Sequence, residues 1–332
     1  MGGAQRVFSA TPVGRAMPTQ RLVVVADPID PEALGRLGAG PCRMVDASAD
    51  PSSLPGHLAE AWGLIVRSRT KVTADLLAKA PRLELVARAG VGVDNVDLAA
   101  TSARGIRVVN APAAATTSVA ELTVALYLLL ARGLYPSISA VKAGKWERGT
   151  HGHELSGRTV GFVGYGRIAR EVARRVTPFG VRTVAFDPFV RKAVDATEIV
   201  PLEQLLPIAD IVSVHAALTA ENHHLLDARA FARMKPGAFL VNVARGALVD
   251  EAALLPALAS GQLGGAALDV FEVEPPMNRE LLAHPNVIPT PHLGASTHEA
   301  QQRAGIDTVD EVLRALRGEP LTALVAAPGG AR

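Results

Sequence analysis

Residues 161–169, GFVGYGRIA, join an apolar run to the start of a helix-forming segment. Gly164, Gly166 and Ala169 fit the pattern G-x-G-x-x-A, in which two glycines allow a tight turn and let the backbone approach a pyrophosphate at a helix N-terminus. A glycine-rich turn alone is a weak signal. Here an acid, Asp187, follows about 20 residues later at the end of another apolar run, as the dinucleotide-binding fingerprint requires. The sequence therefore predicts a nucleotide-binding βαβ unit.

Apolar runs and helix-forming runs alternate on both sides of this motif, which is the sequence form of a parallel sheet covered on both faces by helices. One series of such runs begins at Arg158. It closes with an amphipathic segment long enough to pack back on an earlier part of the chain. For this series we predict strands at 158–164, 181–187, 211–216, 238–244, 264–271 and 286–290, and helices at 167–176, 202–209, 250–260 and 297–318.

A similar series begins at Arg21. Between the two series lies the segment 118–132, which is apolar on most of a helical circumference, unlike a surface helix. We predict that this helix lies between domains or between subunits. For the earlier series we predict strands at 21–29, 61–68, 83–90 and 106–111, and a helix at 73–80 capped by Thr73.

The length of the chain, 332 residues, exceeds that of most single domains. Together with the two series it predicts an α/β protein with two doubly wound parallel-sheet domains. We find no internal repeat of solenoid length. The first 20 residues have no acidic residue and no continuous apolar segment of the kind a signal peptide needs, so we interpret 1–20 as a disordered leader.

Composition and charge exclude several classes of function. The chain is 48% hydrophobic and 20% charged with a formal net charge of +2, and its basic residues are scattered, so no nucleic-acid-binding footprint is visible. No apolar run reaches the ~20 residues that span a bilayer. A single cysteine, Cys42, excludes an internal disulfide framework and fits a reducing compartment. We therefore expect a cytoplasmic protein whose partners are small molecules.

The fingerprint also predicts which dinucleotide binds. Asp187 would accept hydrogen bonds from both hydroxyls of the adenosine ribose and would repel a 2′-phosphate, which favours NAD over NADP. Arg191 and Lys192 nearby weaken this preference, and the alternative is that Asp187 is a turn residue before Pro188. We predict that residues at the helix start and at the ends of neighbouring strands contact the cofactor: Gly164, Gly166, Arg167, Ile168, His215, Ala244, Asp269 and His292.

Three predicted strands are each followed by a polar side chain of catalytic type. Arg245, Glu274 and His292 come after the runs FLVNV, AALDV and NVIPT, whose carboxyl ends share the edge where an open parallel sheet binds ligands. Arginine offers a bidentate fork for a carboxylate, and histidine exchanges protons near neutral pH. A carboxylate on the other ring nitrogen orients the histidine and favours its charged form. His292 alone would more often be a structural histidine. The three together predict proton exchange on a 2-hydroxy acid coupled to hydride transfer with a nicotinamide.

Six segments carry a resemblance to a known family. They are LIVRSRTKVTADLL, ARAGVGVDNVDL, GYGRIAREVARR, MKPGAFLVNVARGALVDEAAL, GAALDVFEVEPP and TPHLGASTHEA. With these motifs the chain resembles the D-2-hydroxyacid dehydrogenases over nearly its whole length, and most closely their phosphoglycerate-specific members. The resemblance implies a flavodoxin-like substrate-binding domain made of 21–111 and 295–332, a Rossmann-type NAD-binding domain at 112–294 inserted into it, and a cleft at the hinge.

The resemblance also implies roles for individual residues. The catalytic residues of the family fall on Arg245, Glu274 and His292. Backbone amides of Val91 and Gly92 would hold the substrate carboxylate together with Arg245. The helix that begins near residue 118 would form the interface of a homodimer.

The segment Arg67, Ser68, Arg69 lies in the other domain and is predicted to contact the substrate. Alternation along an extended segment places the two arginines on one side, so both guanidinium groups would converge on a substrate phosphate. In the alternative interpretation, one arginine pairs with a surface carboxylate such as Asp75 or Glu84, and only the other meets the ligand.

Some positions depart from the family pattern. Ala115 replaces an asparagine and Ala217 replaces a proline, so we expect the loops around the cofactor to differ. The chain ends soon after the last predicted helix, so we expect a short form without C-terminal regulatory domains and without serine feedback through them. The histidines at 151–153 and 222–224 lack a third ligand at metal-site spacing, and we interpret them as surface histidines that hold no metal.

Three functions remain open at this point. The resemblance favours D-3-phosphoglycerate, with 3-phosphohydroxypyruvate as its oxidised form, or a close phosphorylated analogue. A hydroxypyruvate or glyoxylate reductase shares the three catalytic residues and needs no phosphate site. An NAD-sensing binding protein of the same fold belongs to another class, and the absence of a basic segment counts against it. A formate dehydrogenase is disfavoured, because that branch of the family carries glutamine at the position of Glu274.

Overall fold

The computed structural model describes residues 20–146, 148 and 151–325 of the chain. By its internal contacts the chain divides into two compact units. The first comprises the chain up to Arg88, Asp94–Val109 and the chain from Val309 onward, and the second comprises Ala89–Val93 and Asn110–Thr308. Apart from its last residue, the predicted leader lies outside the described residues. The functional division of the chain at 111/112 and 294/295 stays a prediction.

The described part of the first unit contains a five-stranded sheet and four complete α-helices. The strands are β1 (Leu22–Val25), β2 (Arg43–Asp46), β3 (Ala61–Val66), β4 (Leu85–Arg88) and β5 (Arg107–Asn110), and the helices are α1 (Pro31–Gly38), α2 (Leu54–Leu58), α3 (Ala74–Ala78) and α4 (Leu98–Ala103). The strand order is β2-β1-β3-β4-β5, and β1 pairs in parallel with β2 and β3. This is the order of flavodoxin-like folds.

Buried strands and side-chain caps determine this unit. β1 and β3 are buried along their whole length, as expected for strands of a parallel sheet covered on both faces. Asp30 caps α1 by accepting hydrogen bonds from the N–H groups of Glu32 and Ala33. Thr73 caps α3, as predicted, by accepting one from the N–H of Leu76. Each cap sets where its helix begins, and therefore how long the loop after the preceding strand is.

The second unit contains a seven-stranded sheet. Its strands are β6 (Thr159–Val163), β7 (Arg182–Phe186), β8 (Glu198–Ile199), β9 (Ile211–Val214), β10 (Ala238–Asn242), β11 (Leu263–Leu268) and β12 (Val287–Pro289). Its helices are α5 (Thr116–Ala131), α6 (Leu134–Lys142), α7 (Arg167–Val176), α8 (Leu202–Leu205), α9 (Ala228–Arg233), α10 (Glu251–Ala259) and α11 (Arg279–Ala283). The last helix, α12 (His298–Arg317), begins in this unit and ends in the first.

The second sheet has a reversal of strand order beside β6. The order is β12-β11-β10-β9-β6-β7-β8, and all of these neighbours pair in parallel. The chain thus runs outward from β6 on one side and outward from β9 on the other. An open α/β sheet binds its ligand at such a point. This is the doubly wound Rossmann arrangement with one further strand, so the predicted fold class is confirmed.

Helix α5 is the apolar helix that the sequence places between domains or subunits. About half of its residues are buried, and it packs on α7, β10 and β11 within the second unit. Helix α6 follows it and exposes several large apolar side chains. Among the described helices, no single one is long and apolar enough to cross a membrane, and α5 and α6 satisfy length and composition only as a pair bent by 71°.

The sequence does not predict α1, α2, α4, α6, α9 and α11 or the strands β2 and β8. These helices have five to nine residues, too few for helical periodicity to be visible. β2 and β8 lie at sheet edges with exposed or half-buried side chains, so they lack a continuous apolar run. The remaining predicted strands and helices are present, most of them shortened by one to four residues.

Candidate active site

The turn between β6 and α7 forms a cradle beside the reversal of strand order. Gly164 has a φ of 89°, and a Cβ there would lie within 3.0 Å of the backbone after β9, so only glycine fits. Gly166 precedes α7 without a side-chain cap, and a Cβ there would meet no heavy atom within 4 Å. The N–H groups of Arg167 and Ile168 have no partner within the helix. Open space beside such a helix start suits a pyrophosphate.

Asp187 follows β7 and reaches back to this turn. Its Oδ2 accepts a hydrogen bond from the N–H of Tyr165 at 2.8 Å, and its Oδ1 accepts one from the N–H of Phe189 at 2.9 Å. Each carboxylate oxygen keeps a further lone pair that a ribose hydroxyl can use. The carboxylate is therefore fixed beside the glycine turn, as the fingerprint requires, and the residues present fit a dinucleotide.

His215 follows β9 at the same edge of the sheet. Burial lowers the pKa of His215 to about 3, so its ring is neutral at physiological pH. Nε2 lies 2.8 Å from the hydroxyl of Ser213, whereas Nδ1 is buried and has no hydrogen-bond partner in the described part of the chain. A buried ring nitrogen without a partner is what a bound ligand group would satisfy. His215 thus fits the predicted cofactor contact without titrating.

The strands β10, β11 and β12 deliver the three predicted catalytic residues to one edge. The last residues of these neighbouring strands are aligned with each other in the register of the sheet. Arg245 and His292 each lie three residues beyond the end of their strand, and Glu274 lies in the longer loop after β11. The expectation that these loops share one edge is therefore met by the register.

His292 and Glu274 are in direct contact. Nδ1 of His292 lies 2.9 Å from Oε2 of Glu274, and the other carboxylate oxygen accepts a hydrogen bond from the N–H of Phe271 at 3.2 Å. An ionised carboxylate only accepts hydrogen bonds, so Nδ1 carries a proton and Nε2 is left for a substrate. His292 is half-exposed and has a φ of 54°, a strained conformation that recurs at functional sites. The arrangement suits proton transfer by an oriented imidazole.

A buried carboxylate holds the loop of His292. Asp269 is 1% exposed, and its Oδ1 accepts hydrogen bonds from the hydroxyl of Thr290 and the N–H of Leu293, both at 2.7 Å. Its Oδ2 accepts one from the N–H of Gly294 at 2.8 Å. The N–H of His292 donates to the main-chain oxygen of Asp269 at 2.9 Å. These bonds give Asp269 a positioning role, and its contact with a cofactor stays a prediction.

Asn242 and Gly246 fix the turn that carries Arg245. Asn242 is fully buried, and its side chain accepts a hydrogen bond from the N–H of Ala244 at 3.0 Å and donates one to the main-chain oxygen of Arg245 at 2.9 Å. Arg245 donates from Nη1 to the main-chain oxygen of Ala244 at 2.6 Å. The backbone of Gly246 lies against the peptide group that joins residues 271 and 272, with no room for a Cβ. The arginine turn is thus locked against the loop after β11.

The segment 67–70 follows β3 in the first unit and bends away from the strand direction. Asp27, which is 1% exposed, causes the bend because it accepts hydrogen bonds from the N–H groups of Arg67 at 2.6 Å and Thr70 at 3.1 Å. Asn95 holds the other side by donating to the main-chain oxygens of Arg67 and Thr70. The prediction of an extended segment is therefore wrong at 68–70, where the chain bends, and the contact of both arginines with one ligand stays a prediction.

Arg69 is bound within the first unit. Its Nε lies 3.2 Å from Oδ1 of Asp27, and its Nη2 donates to the main-chain oxygens of Ala26 and Ser48 at 2.8 and 3.0 Å. Burial would raise the pKa of Asp27, but the hydrogen bonds from this segment outweigh burial and hold the pKa below its ordinary value. Arg69 thus matches the alternative interpretation, in which one of the two arginines pairs with a carboxylate. The carboxylate is that of Asp27, which is buried rather than at the surface. Arg67 is half-buried, and it is the arginine left for a ligand.

Three further predicted substrate contacts lie in loops. Ser68 is exposed in the first unit. Val91 and Gly92 are half-buried in the second unit, and neither of their N–H groups donates to another described residue. Asn110 donates from its side chain to the main-chain oxygen of Val91 at 2.6 Å and so holds this loop. Two N–H groups in a held loop are suitable donors for a carboxylate.

The structure places His224 in a side-chain contact that the sequence does not predict. It is not a surface histidine, because its side chain is 32% exposed and its Nε2 lies 3.2 Å from Oε2 of Glu272. These two atoms are within ion-pair distance, but they do not form an aligned hydrogen bond. His151, His153 and His223 are exposed, as predicted. The only sequence signal for His224 is a pair of adjacent histidines, which does not reveal a contact with a loop 48 residues away.

Comparison with known proteins agrees with this geometry. Residues 124–294 match the family model described as "D-isomer specific 2-hydroxyacid dehydrogenase, NAD binding domain". The D-3-phosphoglycerate dehydrogenase of Homo sapiens is 45% identical over 310 residues, which is 92% of this chain and 58% of that protein. The chain thus spans less than two thirds of the length of this relative.

Two solved structures extend the likeness across both units. The TT0316 protein of Thermus thermophilus gives a TM-score of 0.84 at 36% identity and covers 92% of this chain and 100% of that one. The NAD-dependent formate dehydrogenase of Staphylococcus aureus, solved in complex with NAD, gives a TM-score of 0.82 at 32% identity and covers 92% and 99%. The likeness therefore includes the dinucleotide-binding unit as well as the sheet of the first unit.

Proposed function

This chain belongs to the D-isomer specific 2-hydroxyacid dehydrogenase family, and from this premise we propose that it is an NAD-dependent oxidoreductase acting on a small 2-hydroxy or 2-oxo acid. The observation that carries the proposal is the contact of His292 Nδ1 with Glu274 Oε2 at 2.9 Å. A dinucleotide turn alone would serve any nucleotide-binding protein. An oriented histidine on the same sheet edge, beside the turn of Arg245, indicates chemistry as well as binding.

Each side chain has a distinct role in this reaction. Arg245 binds the carboxylate of the substrate through its guanidinium fork, together with the N–H groups of Val91 and Gly92. His292 takes the proton of the C2 hydroxyl through Nε2 during oxidation and returns it during reduction. Glu274 orients the imidazole and offsets its positive charge. Bound NAD supplies the acceptor for the hydride from C2, or the donor in its reduced form.

The cofactor is held by the second unit. Gly164 and Gly166, with the N–H groups of Arg167 and Ile168, bind the pyrophosphate, and Asp187 selects NAD through the ribose hydroxyls. His215, Ala244 and Asp269 follow strands at the same edge and complete the contacts predicted from the sequence, with His292 beside them.

The substrate we propose first is D-3-phosphoglycerate with 3-phosphohydroxypyruvate, supported by the D-3-phosphoglycerate dehydrogenase relative and by Arg67 as a phosphate ligand. A second candidate, hydroxypyruvate or glyoxylate, is favoured by one observation. Arg69 is bound to Asp27, which leaves one guanidinium group of this segment for a phosphate rather than two. Hydroxypyruvate differs from 3-phosphohydroxypyruvate by the phosphate group alone, and glyoxylate also lacks the C3 carbon, so a substrate series separates the candidates.

A substrate panel with NADH tests the reaction and its substrate. Reduction of 3-phosphohydroxypyruvate, hydroxypyruvate and glyoxylate is followed by the loss of NADH absorbance, and the kcat/KM values rank the candidates. His292→Ala should lower kcat by ~100-fold or more, the range for a lost general acid–base. His151→Ala is the matched control, because His151 is exposed and outside the site. Binding of NAD without turnover of any 2-oxo acid would indicate an NAD-sensing binding protein instead.

We also propose that the chain forms a homodimer in the cytoplasm. Leu134, Ile138 and Val141 of α6 are 39%, 52% and 53% exposed and recur at the spacing of one helical face. Such a continuous apolar face is typical of a protein interface. Sedimentation equilibrium should give twice the chain mass of 34.6 kDa, and Ile138→Asp should give the monomer.

A reducing compartment is supported by the free, buried Cys42.

A further inference from the structure

His224 is held in a strained backbone conformation outside the residues with a proposed catalytic role. Its φ is 53°, and His292, with 54°, is the other non-glycine residue with positive φ in the described ranges. Histidine tolerates this region better than most residues, but the conformation still costs free energy. The N–H of His224 donates to the main-chain oxygen of Ala247 at 2.8 Å, in the segment after Arg245. The strain thus lies beside the catalytic arginine turn.

The side chain of His224 lies between two carboxylates. Its Nε2 is 3.2 Å from Oε2 of Glu272, and its Nδ1 is 4.0 Å from Oδ2 of Asp250. All three side chains are about one third exposed or less. The ring of His223 lies against that of His224, with centroids 4.0 Å apart and planes tilted by 34°, which restricts rotation of the imidazole. The imidazole is therefore held from three directions, with carboxylates on two of them.

Glu272 links this histidine to the start of α10. The N–H of Glu251 donates to Oε1 of Glu272 at 2.8 Å, and the N–H of Glu272 donates to Oε1 of Glu251 at 2.7 Å. Burial raises the pKa of Glu251, and the charge of Glu272 adds to this while the hydrogen bond from Glu272 opposes it. The reciprocal bonds clamp the loop after β11 onto α10.

Glu272 stands two residues before Glu274. The short main chain between them sets the direction of Glu274, whose two oxygens meet the N–H of Phe271 and Nδ1 of His292. We propose that His224 and Glu272 form a positioning pair, which fixes loop 271–274 against α10 and thereby aligns Glu274 with His292. The proposal rests on the proposed function, because that function gives the aligned acid–base pair its purpose.

Two variants alter the contact between His224 and Glu272 and keep the backbone. Glu272→Gln retains the shape of the side chain without its charge. His224→Asn removes the imidazole and introduces a residue that also tolerates positive φ. Glu280→Gln is the matched control, because it makes the same chemical change at an exposed position of α11. Urea unfolding of each variant establishes that it is folded before the other measurements.

The first measurement is the tautomer of His292 in the full chain without substrate. Nitrogen-15 shifts of labelled histidine, assigned with His292→Gln and recorded where the ring is neutral, report which nitrogen carries the proton. Wild type and Glu280→Gln should show the Nδ1–H form that donates to Glu274. Glu272→Gln and His224→Asn should move part of the population to the Nε2–H form. An unchanged tautomer in both variants overturns the proposal.

The second measurement is a kinetic double-mutant cycle. Glu272→Gln and His224→Asn should each lower kcat by ~10-fold and change the KM for NAD by less than ~2-fold, because misplacement of a catalytic group acts on the chemical step. In a Glu274→Gln background, Glu272→Gln should have no further effect on kcat, because the pair acts through Glu274. Additive losses would overturn the positioning role. If the wild type reduces no 2-oxo acid, the proposed function fails, and the tautomer measurement decides the role of His224.

Discussion

Adding one methyl group at Gly246 should disable catalysis while cofactor binding continues. A Cβ at this position would lie closer than 3.0 Å to the carbonyl carbon and oxygen of Phe271 and to the nitrogen of Glu272, all of them backbone atoms. Ordinary Cβ contacts begin at 3.4 Å. Backbone atoms cannot rotate away as a side chain would, so Gly246→Ala must separate the two segments by more than about 1 Å, at a cost of about 1–3 kcal/mol in the free energy of unfolding.

The separation falls between two groups with a proposed catalytic role. Gly246 directly follows Arg245, and the Phe271 peptide on the other side holds Glu274 through a hydrogen bond. A displacement of about 1 Å at a catalytic group can cost ~100-fold. We therefore expect kcat/KM for the 2-oxo acid to fall by ~100-fold and the Kd for NAD, measured by fluorescence, to stay within ~2-fold.

The control is Gly56→Ala, where a Cβ would meet nothing within 4 Å. It should leave both the kcat/KM and the Kd for NAD close to those of the wild type. Full activity in Gly246→Ala would refute the reasoning that this backbone contact sets the distance between the arginine turn and the glutamate loop. A parallel loss of NAD binding would show instead that the methyl group disturbs the whole sheet.

Three further predictions concern the cofactor, acid stability and the arginine segment. Asp187→Ser should narrow the preference for NAD over NADP by roughly 10-fold in kcat/KM, or about 1.4 kcal/mol, and a wild type that prefers NADP would contradict the role of this carboxylate. The pKa of Asp27 in the folded protein lies below its ordinary value of about 4, which is the value in the unfolded chain. The ionised carboxylate therefore contributes fully to stability above pH about 4, and this contribution is lost as the pH falls through the lower pKa of the folded protein. Asp27→Asn should therefore lower the urea midpoint at neutral pH, and the gap to wild type should close in acid, so a gap that persists there speaks against the assignment. Arg67→Ala should lower kcat/KM for phosphohydroxypyruvate by ~10-fold and leave that for glyoxylate unchanged. Arg69→Ala should lower the free energy of unfolding by about 1–3 kcal/mol and lower kcat/KM for both substrates alike. If Arg69→Ala instead affects only phosphohydroxypyruvate and Arg67→Ala affects both, the phosphate is bound by Arg69.

The long periodic elements are readily predicted from the sequence. α7 begins and ends at the predicted residues, because Ala169, Val172, Ala173 and Val176 recur at helical spacing and are buried. The strands other than β2 and β8 are recognised as short apolar runs, since a parallel sheet covered on both faces buries most of their positions. The order of strands then follows from right-handed crossovers and from the position of the glycine turn in the chain.

Short elements carry too little of this signal. α9 has six residues, of which Ala230 and Phe231 are buried, so there is no second turn on which periodicity can be recognised. Its start is marked only by the cap of Asp227, which accepts hydrogen bonds from two N–H groups of the first turn. For several of the short helices, a capping side chain is the only sequence signal of where the helix begins. Such a cap identifies a helix start only when the path of the loop before it is known.

The residue types of the proposed catalytic site are predictable, but the groups that hold them are not. Arg245, Glu274 and His292 can be found because each follows an apolar run. Asp269 also ends such a run, yet its use as an acceptor for three groups of the His292 loop depends on a path of main chain that residue spacing does not reveal. The same limit explains the error at 67–70, where Asp27, 40 residues earlier in the chain, bends the segment.

The position of β12 in the sheet has a consequence for how the protein loses activity. This three-residue strand lies at the end of the strand order and pairs with β11, whereas β6, which carries the glycine turn, has a paired strand on each side. Peripheral elements with few hydrogen bonds open at a lower free energy than the centre of a sheet. Amide hydrogens of β12 should therefore exchange faster with solvent than those of β6. Opening from this edge would carry away His292, the proposed acid–base, and leave the glycine turn folded. On gentle warming, the capacity to bind NAD should therefore outlast turnover.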